Sequence, residues 1–168
     1  ALIEAGAEPN IRNDYGVSPL EEAATVGDVA LLEALLKAGA DPNLGNLEGQ
    51  TPLMIVARSD NLDAARLLLR YGADVNRAED WRSQTALMWA SAQSQPAMVK
   101  LLIENGARVD ARSKANEWER QISGEPRAQW RPAGGMTPLL YAGRQGCLEC
   151  VRHLAEAQAD LNLADPEG

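Results

Sequence analysis

The sequence predicts an all-α solenoid of stacked helix–turn–helix units joined by short β-hairpin or loop fingers. Two markers repeat together along the 168-residue chain. The first marker is a Ser or Thr before Pro-Leu or Ala-Leu. The second marker is a Gly, replaced once by Gln, and it always lies at the same distance after the first. Between the markers, apolar residues recur at helical spacing. A constant unit that recurs with a period of roughly 33 residues is typical of a repeat architecture.

Each unit opens with a residue that can cap a helix. The Ser or Thr hydroxyl accepts from orphan backbone N–H groups, and Pro is tolerated at the first helical position because it lacks only a donor that has no partner there. The first three starts follow one another at about one period, whereas the fourth comes about half a period late, so the last connection is longer. The starts are Ser18-Pro19-Leu20, Thr51-Pro52-Leu53, Thr85-Ala86-Leu87 and Thr137-Pro138-Leu139.

Each unit closes where the chain is expected to turn left-handed. Gly39, Gly72 and Gly106 adopt that conformation without a Cβ penalty. Gln158 holds the same place in the last unit, where a left-handed backbone is expected to cost about 1 kcal/mol. A break nine residues after each start divides the unit into two short helices. The break residues are Gly27, Asp60, Ser94 and Gly146.

The apolar pattern predicts how the units pack. Each second helix carries a stripe at positions i, i+1, i+4 and i+5. The first of these stripes is Leu31, Leu32, Leu35 and Leu36. The first helices carry small residues, which permit close helix approach: Ala23-Ala24, Val56-Ala57, Ala90-Ser91 and Ala142-Gly143. Because one helix pair cannot bury its own apolar face, neighbouring units are expected to stack.

The second unit resembles an ankyrin repeat. Its sequence Thr51-Pro52-Leu53-Met54-Ile55-Val56-Ala57, with a later Gly72-Ala73-Asp74-Val75-Asn76, is similar to the signature T-P-L-H-x-A of that family. The resemblance covers nearly the whole chain and implies repeats that begin and end outside it. We expect a partial repeat at 1–14, repeats at 15–46, 47–80, 81–113 and 133–164, an insertion at 114–132, and the start of a further repeat at 165–168.

The chain departs from the family pattern in two ways. Glu21, Met54, Met88 and Leu140 replace the His of the signature, so the hydrogen bonds of that His to turns are expected to be lost. The insertion contains Trp118 and Trp130, whose rings either cover the repeat junction or contact a partner. Repeats with such an insertion also resemble a bacterial subgroup of ankyrin proteins, many of them exported, so cytoplasmic and exported locations are both compatible with the sequence.

Composition excludes several classes of partner. A net charge of −8 and a pI near 4.7 disfavour nucleic acids and anionic membranes. No run of residues approaches the roughly 20 apolar residues that insert into a bilayer. Aromatic residues make up only 4% of the chain, with no Phe, which suits close-packed short helices better than a β-sandwich.

No catalytic constellation stands out, so we expect no enzyme, no cofactor and no metal. Cys147, Cys150 and His153 could lie in a row on one helix. Ordinary packing of a buried Cys150 thiol is the favoured interpretation, with a redox or disulfide pair and a metal site as the alternatives. The carboxylates Glu21 and Glu22 are expected to be solvated on an exposed face.

Recognition of a protein is the remaining function. The resemblance implies that a partner is held by the concave face of fingers and first helices. Aligned to the repeat starts, and with the insertion added, the expected contact residues are Tyr15, Arg58, Trp81, Arg82, Gln84, Trp118, Trp130 and Arg144. Tyr15, Trp81 and Arg82 are the best anchors, unless Trp81 packs on its own finger. The alternative function is a regulatory or targeting segment of a larger enzyme or multi-subunit assembly.

Overall fold

The structure is a computed structural model that describes residues 7–115 and 134–164. In this part of the chain it contains eight α-helices in four consecutive pairs. The pairs are α1 (Pro19–Val26) with α2 (Val29–Lys37), α3 (Pro52–Val56) with α4 (Leu62–Arg70), α5 (Ala86–Ala92) with α6 (Pro96–Glu104), and α7 (Pro138–Arg144) with α8 (Leu148–Glu156). None of these helices is long and apolar enough to span a bilayer. The predicted all-α solenoid is confirmed.

The connections between pairs are loop fingers. Two isolated antiparallel bridges, Ala78 with Thr85 and Ala115 with Gly134, are the β-type pairings of residues 7–115 and 134–164. Neither extends into a strand. Of the two forms expected for the fingers, the described residues therefore show the loop form.

The predicted helix starts are confirmed by their caps. Ser18 Oγ accepts from the Glu21 N–H at 3.2 Å, and Thr51 Oγ1 accepts from the Met54 N–H at 3.4 Å. Thr85 and Thr137 make the same bond at 3.4 and 3.3 Å. Each first helix therefore begins at the Ser or Thr of its unit.

The unit ends turn left-handed, as the sequence predicts. Gly39, Gly72 and Gly106 have φ of 92°, 88° and 86°. Gln158 has φ of 64°, so the fourth repeat keeps the conformation with a residue that is strained in it. The break residues Gly27, Asp60, Ser94 and Gly146 are left-handed too.

The core lies between two layers of helices. First helices pack on first helices in the order α1, α3, α5, α7, and second helices pack in the order α2, α4, α6, α8. The small residues Ala23, Ala57, Ala90 and Ala142 are buried where first helices meet. Two residues of the predicted stripes are exposed instead of buried: Leu31 in α2, at 44%, and Ala155, at the last position of the stripe in α8.

A ladder of three Asn side chains joins successive repeats up to the third. Asn43 Nδ2 donates to the Gly72 carbonyl at 2.9 Å, and its Oδ1 accepts from the Asp74 N–H at 2.7 Å. Asn10 and Asn76 make the same two bonds one repeat before and one repeat after. Each Asn therefore satisfies backbone groups just beyond the second helix of the following repeat.

Glu21 corrects two of the expectations from sequence. It is only 3% exposed, and so is not on a solvated face. Its Oε1 accepts from Asn46 Nδ2 at 2.8 Å, which shows that a residue replacing the His can still bind a neighbouring turn. Burial is the main cause that raises the pKa of this carboxyl, and the Asn46 bond opposes it.

Candidate functional site

The first two fingers are closed by one Asn side chain each. Asn13 Oδ1 accepts from the N–H groups of Tyr15 and Val17, both at 3.0 Å. Asn46 Oδ1 accepts from those of Glu48 at 3.0 Å and Gln50 at 3.1 Å. These Asx-type bonds hold the loop backbone and turn the side chains of the tips outward.

The third finger is one residue longer and is closed by Glu79. This buried carboxylate accepts from the N–H groups of Trp81 at 2.7 Å, Arg82 at 2.8 Å and Gln84 at 2.9 Å. The longer arm of Glu reaches the extra residue, which an Asn would not. The sequence signal was the one extra residue between the second and third repeat starts, together with Glu at the Asn position.

The fingertips form a row of large exposed apolar side chains. Tyr15 is 76%, Leu47 71% and Trp81 65% exposed, one on each of three successive fingers. Gly16, with φ of 74°, lies so close to the second tip that a Cβ there would be 2.9 Å from Leu47 Cγ. The Asp80 N–H donates to the Glu48 carbonyl at 2.9 Å and joins the next two fingers. Contacts between neighbouring fingers therefore hold the row in place.

The Trp81 ring contacts its own finger through Arg82 and stays largely exposed. Its indole lies under the guanidinium of Arg82, with Arg82 Cζ 4.5 Å from the ring centroid, and both side chains are exposed. The alternative in which Trp81 packs on its own finger therefore holds in part: the ring contacts Arg82 of that finger, and the Trp81 backbone takes part in closing the turn, while 65% of the residue stays exposed.

A second Arg–Trp pair lies on the first helices. Arg58 follows α3, and its Cζ is 4.9 Å from the centroid of the Trp89 ring in α5. Arg58 also lines a groove of about 420 Å³ between the first three repeats. We call the fingertips, the exposed surface of the first helices and this groove the finger face.

Gln84 and Arg144, also predicted as contacts, have different surroundings. Gln84 is 8% exposed, and its Nε2 donates to Tyr141 Oη at 2.7 Å. It is therefore placed to tie the third finger to α7 rather than to meet a partner. Arg144 is exposed at the last position of α7. Trp118 and Trp130 lie outside the described residues.

Comparison with known protein families agrees with this architecture. A model of ankyrin repeats in three copies matches residues 20–113, and a model of a single ankyrin repeat matches residues 134–166. The chain belongs to the ankyrin-repeat family. No curated protein matches it significantly. Ankyrin repeats generally mediate protein–protein interactions and are typically non-enzymatic. The bacterial resemblance and the insertion at 114–132 stay predictions.

The cysteines of this ankyrin array are bonded to each other. Cys147 and Cys150 form a disulfide at the start of α8, where Cys147 is half-buried and Cys150 fully buried. The favoured interpretation of Cys150 as an ordinary buried thiol was therefore wrong, and the disulfide alternative holds. Helical geometry explains the pairing, because residues three apart share a face. Within residues 7–115 and 134–164, no group of three or more potential metal ligands comes together.

Proposed function

We propose that this chain is a non-enzymatic scaffold that binds a protein through its finger face. The observation that supports the proposal is the row of Tyr15, Leu47 and Trp81, with an exposed fraction of at least 65% for every side chain. Large apolar side chains grouped on a surface are typical of interaction sites. Aromatic residues are also enriched among those that supply most of the binding energy.

The finger face is preorganised for binding. The carboxylate of Glu79 and the amides of Asn13 and Asn46 hold the three loops, and neighbouring tips are in contact. Little backbone ordering is then left to oppose association, which improves affinity for a given contact area. The roles of Arg144, Trp118 and Trp130 in binding stay predictions from the sequence.

A matched pair of variants tests the proposal. The first carries Tyr15→Ser, Leu47→Ser and Trp81→Ser on the fingertips. The control carries Leu31→Ser, Tyr71→Ser and Leu148→Ser, at exposed apolar positions in or next to the second helices. Because all six side chains are at least 39% exposed, both variants are expected to fold, which circular dichroism verifies.

Each protein is used for affinity capture from an extract of the source organism, followed by quantitative mass spectrometry. We expect the same captured proteins with the wild type and the control, and their loss with the fingertip variant. Capture that survives in the fingertip variant and disappears in the control would assign binding to the second helices and refute the proposal.

A further inference from the structure

The groove of the finger face contains an exposed guanidinium with no carboxylate partner among the described residues. Arg58 lines this groove with the polar side chains of Thr25, Gln50, Ser59 and Gln93. Within the described parts of the chain, the contact of its guanidinium is the Trp89 ring, 4.9 Å away. The groove therefore presents N–H donors that nothing described in this chain neutralises.

Four Lys or Arg side chains on the second helices are paired with carboxylates instead. Each pair joins residues three or four apart, one such pair within each second helix, at N–O distances of 2.9 to 4.0 Å. The pairs are Lys37 with Glu33, Arg66 with Asp63, Lys100 with Glu104, and Arg152 with Glu149. Arg58 lies instead on an aromatic ring, which leaves its charge available to an outside group.

Stacking on Trp89 prepares Arg58 for one kind of ligand. A guanidinium over an indole is held by cation–π attraction, and its plane is fixed while its edge stays open. That edge carries parallel N–H donors whose geometry matches the two oxygens of a carboxylate. Trp89 is half-buried and packs against the core, so the platform itself is rigid.

The other charged residue of the groove does not neutralise Arg58. Glu21 is the third residue after its repeat start, whereas Arg58 is the seventh after the start of the next repeat. The two residues therefore differ by four positions within the repeat, which corresponds to about 6 Å along a helix axis. Glu21 Oε1 is bonded to Asn46, while Glu21 Oε2 and Trp89 Nε1 are buried without a hydrogen-bond partner in the described residues. Glu21 is therefore engaged by Asn46 and not by Arg58 among the described residues.

We propose that the groove receives the carboxylate of a single Asp or Glu side chain from a partner protein, held by the edge of the Arg58 guanidinium. This inference rests on the proposed function, since it names what the finger face recognises. The net charge of −8 repels strongly acidic partners at long range. The partner segment is therefore one isolated acidic residue among neutral or basic ones.

Selection from a random peptide library displayed on phage tests the inference. The full chain is compared with Arg58→Gln and with Arg66→Gln, a control on the face of α4 that carries the ion pair with Asp63. We expect the wild type and Arg66→Gln to select peptides with one Asp or Glu at a fixed place. Arg58→Gln is expected to lose that preference. Both variants are expected to fold, because Gln95 bonds to the backbone carbonyl of Arg58 and not to its side chain. Unfolding curves check that they do.

One selected peptide is then titrated by calorimetry. Its Kd for Arg58→Gln is expected to rise by roughly 10-fold to 100-fold, the usual effect of losing a charge-assisted pair of hydrogen bonds. Replacing the acidic residue of the peptide by its amide is expected to have a similar effect on the wild type and little on Arg58→Gln. Arg58→Lys, which keeps the charge but not the fork, is expected to restore only part of the affinity.

The outcomes separate the inference from the function on which it rests. Peptides that lack an acidic preference but require Trp81 would refute the carboxylate site and leave the finger face as the binding surface. An acidic preference that persists in Arg58→Gln would also refute it. Failure of the folded wild type to select any peptide would count against both.

Discussion

Glu79 binds the backbone of Trp81: its Oε2 accepts the Trp81 N–H at 2.7 Å, and the same carboxylate holds Arg82 and Gln84. The most exposed tryptophan of the described residues is thus positioned by a carboxylate that is itself 4% exposed. This side chain holds the third finger together with the Ala78–Thr85 bridge and the bond from the Asp80 N–H to Glu48.

Replacing Glu79 by Ala should loosen the third finger. We expect the free energy of unfolding to fall by about 1 to 3 kcal/mol, since a charged acceptor is removed while two of the three donors belong to exposed residues that water can reach. Hydrogen exchange of the amides at 81–84 should accelerate. Glu33→Ala, on the exposed face of α2, is the control, and an equal loss there would show that Glu79 has no special role.

In the Asn ladder, one substitution should lower the free energy of unfolding and another should raise it. Asn43→Ala removes two bonds to the next repeat, so we expect a loss of about 1 to 3 kcal/mol in urea unfolding. Asp110 holds the same place in the last interval and accepts from the Asp160 N–H at 2.9 Å, but a carboxylate has no N–H for the carbonyl of Gln158. Asp110→Asn supplies that donor and should stabilise by about 0.5 to 1.5 kcal/mol. Destabilisation by Asp110→Asn would contradict this account.

Replacing Gln158 by Gly, the residue that the other repeats have at this position, should stabilise the fold. Its left-handed φ of 64° favours Gly, so Gln158→Gly should raise the free energy of unfolding by about 1 kcal/mol. The reverse change is Gly72→Ala, at φ of 88° with nothing within 4 Å of an added Cβ, so strain alone should lower stability by about 1 to 2 kcal/mol. Equal thermal midpoints for all three proteins would rule this explanation out.

The extent to which sequence predicted this fold depends on the range of each interaction. The caps at Ser18 and Thr51 and the left-handed conformation of Gly72 depend on residues a few positions apart, so the local sequence predicted them. The burial of Glu21 was not, because Asn46 lies 25 residues away. The bonds of the Asn ladder join one repeat to the next, so they could not be predicted for the same reason.

The candidate site likewise contains residues that the sequence predicted and contacts that it could not predict. Alignment to the repeat starts found Tyr15, Trp81 and Arg82, which the structure leaves exposed. It could not find the stacking of Arg58 on Trp89, which depends on how neighbouring first helices pack. Nor could it distinguish Gln84, whose bond to Tyr141 spans 57 residues.

The disulfide should be detectable directly. Unfolded in the absence of reductant, the protein should give no reaction with a thiol-alkylating reagent, and after reduction it should gain two labels, at Cys147 and Cys150. Because the closed loop is short, reduction should cost only about 2 kcal/mol of stability. Two labels before reduction would contradict the disulfide, and Cys147→Ser with Cys150→Ser gives the reference for a chain without it.

The buried Glu21 carboxyl should give stability a pH dependence of its own. Burial raises its pKa in the folded chain above the value of 4.5 expected for the unfolded chain. Between these two pKa values the folded state binds more protons, so the free energy of unfolding falls as pH rises, and the loss persists at higher pH.

Glu21→Gln should remove this fall, since a neutral amide can still accept from Asn46 and does not titrate. Urea unfolding from about pH 5 to about pH 8 should therefore show the variant gaining stability relative to the wild type as pH rises. Glu33→Gln is the control, because Lys37 lowers the pKa of Glu33 below 4.5, so Glu33 titrates below this range and the difference of this variant from the wild type should stay constant across it. A difference between Glu21→Gln and the wild type that stays constant with pH would show that the Glu21 pKa is not raised by folding.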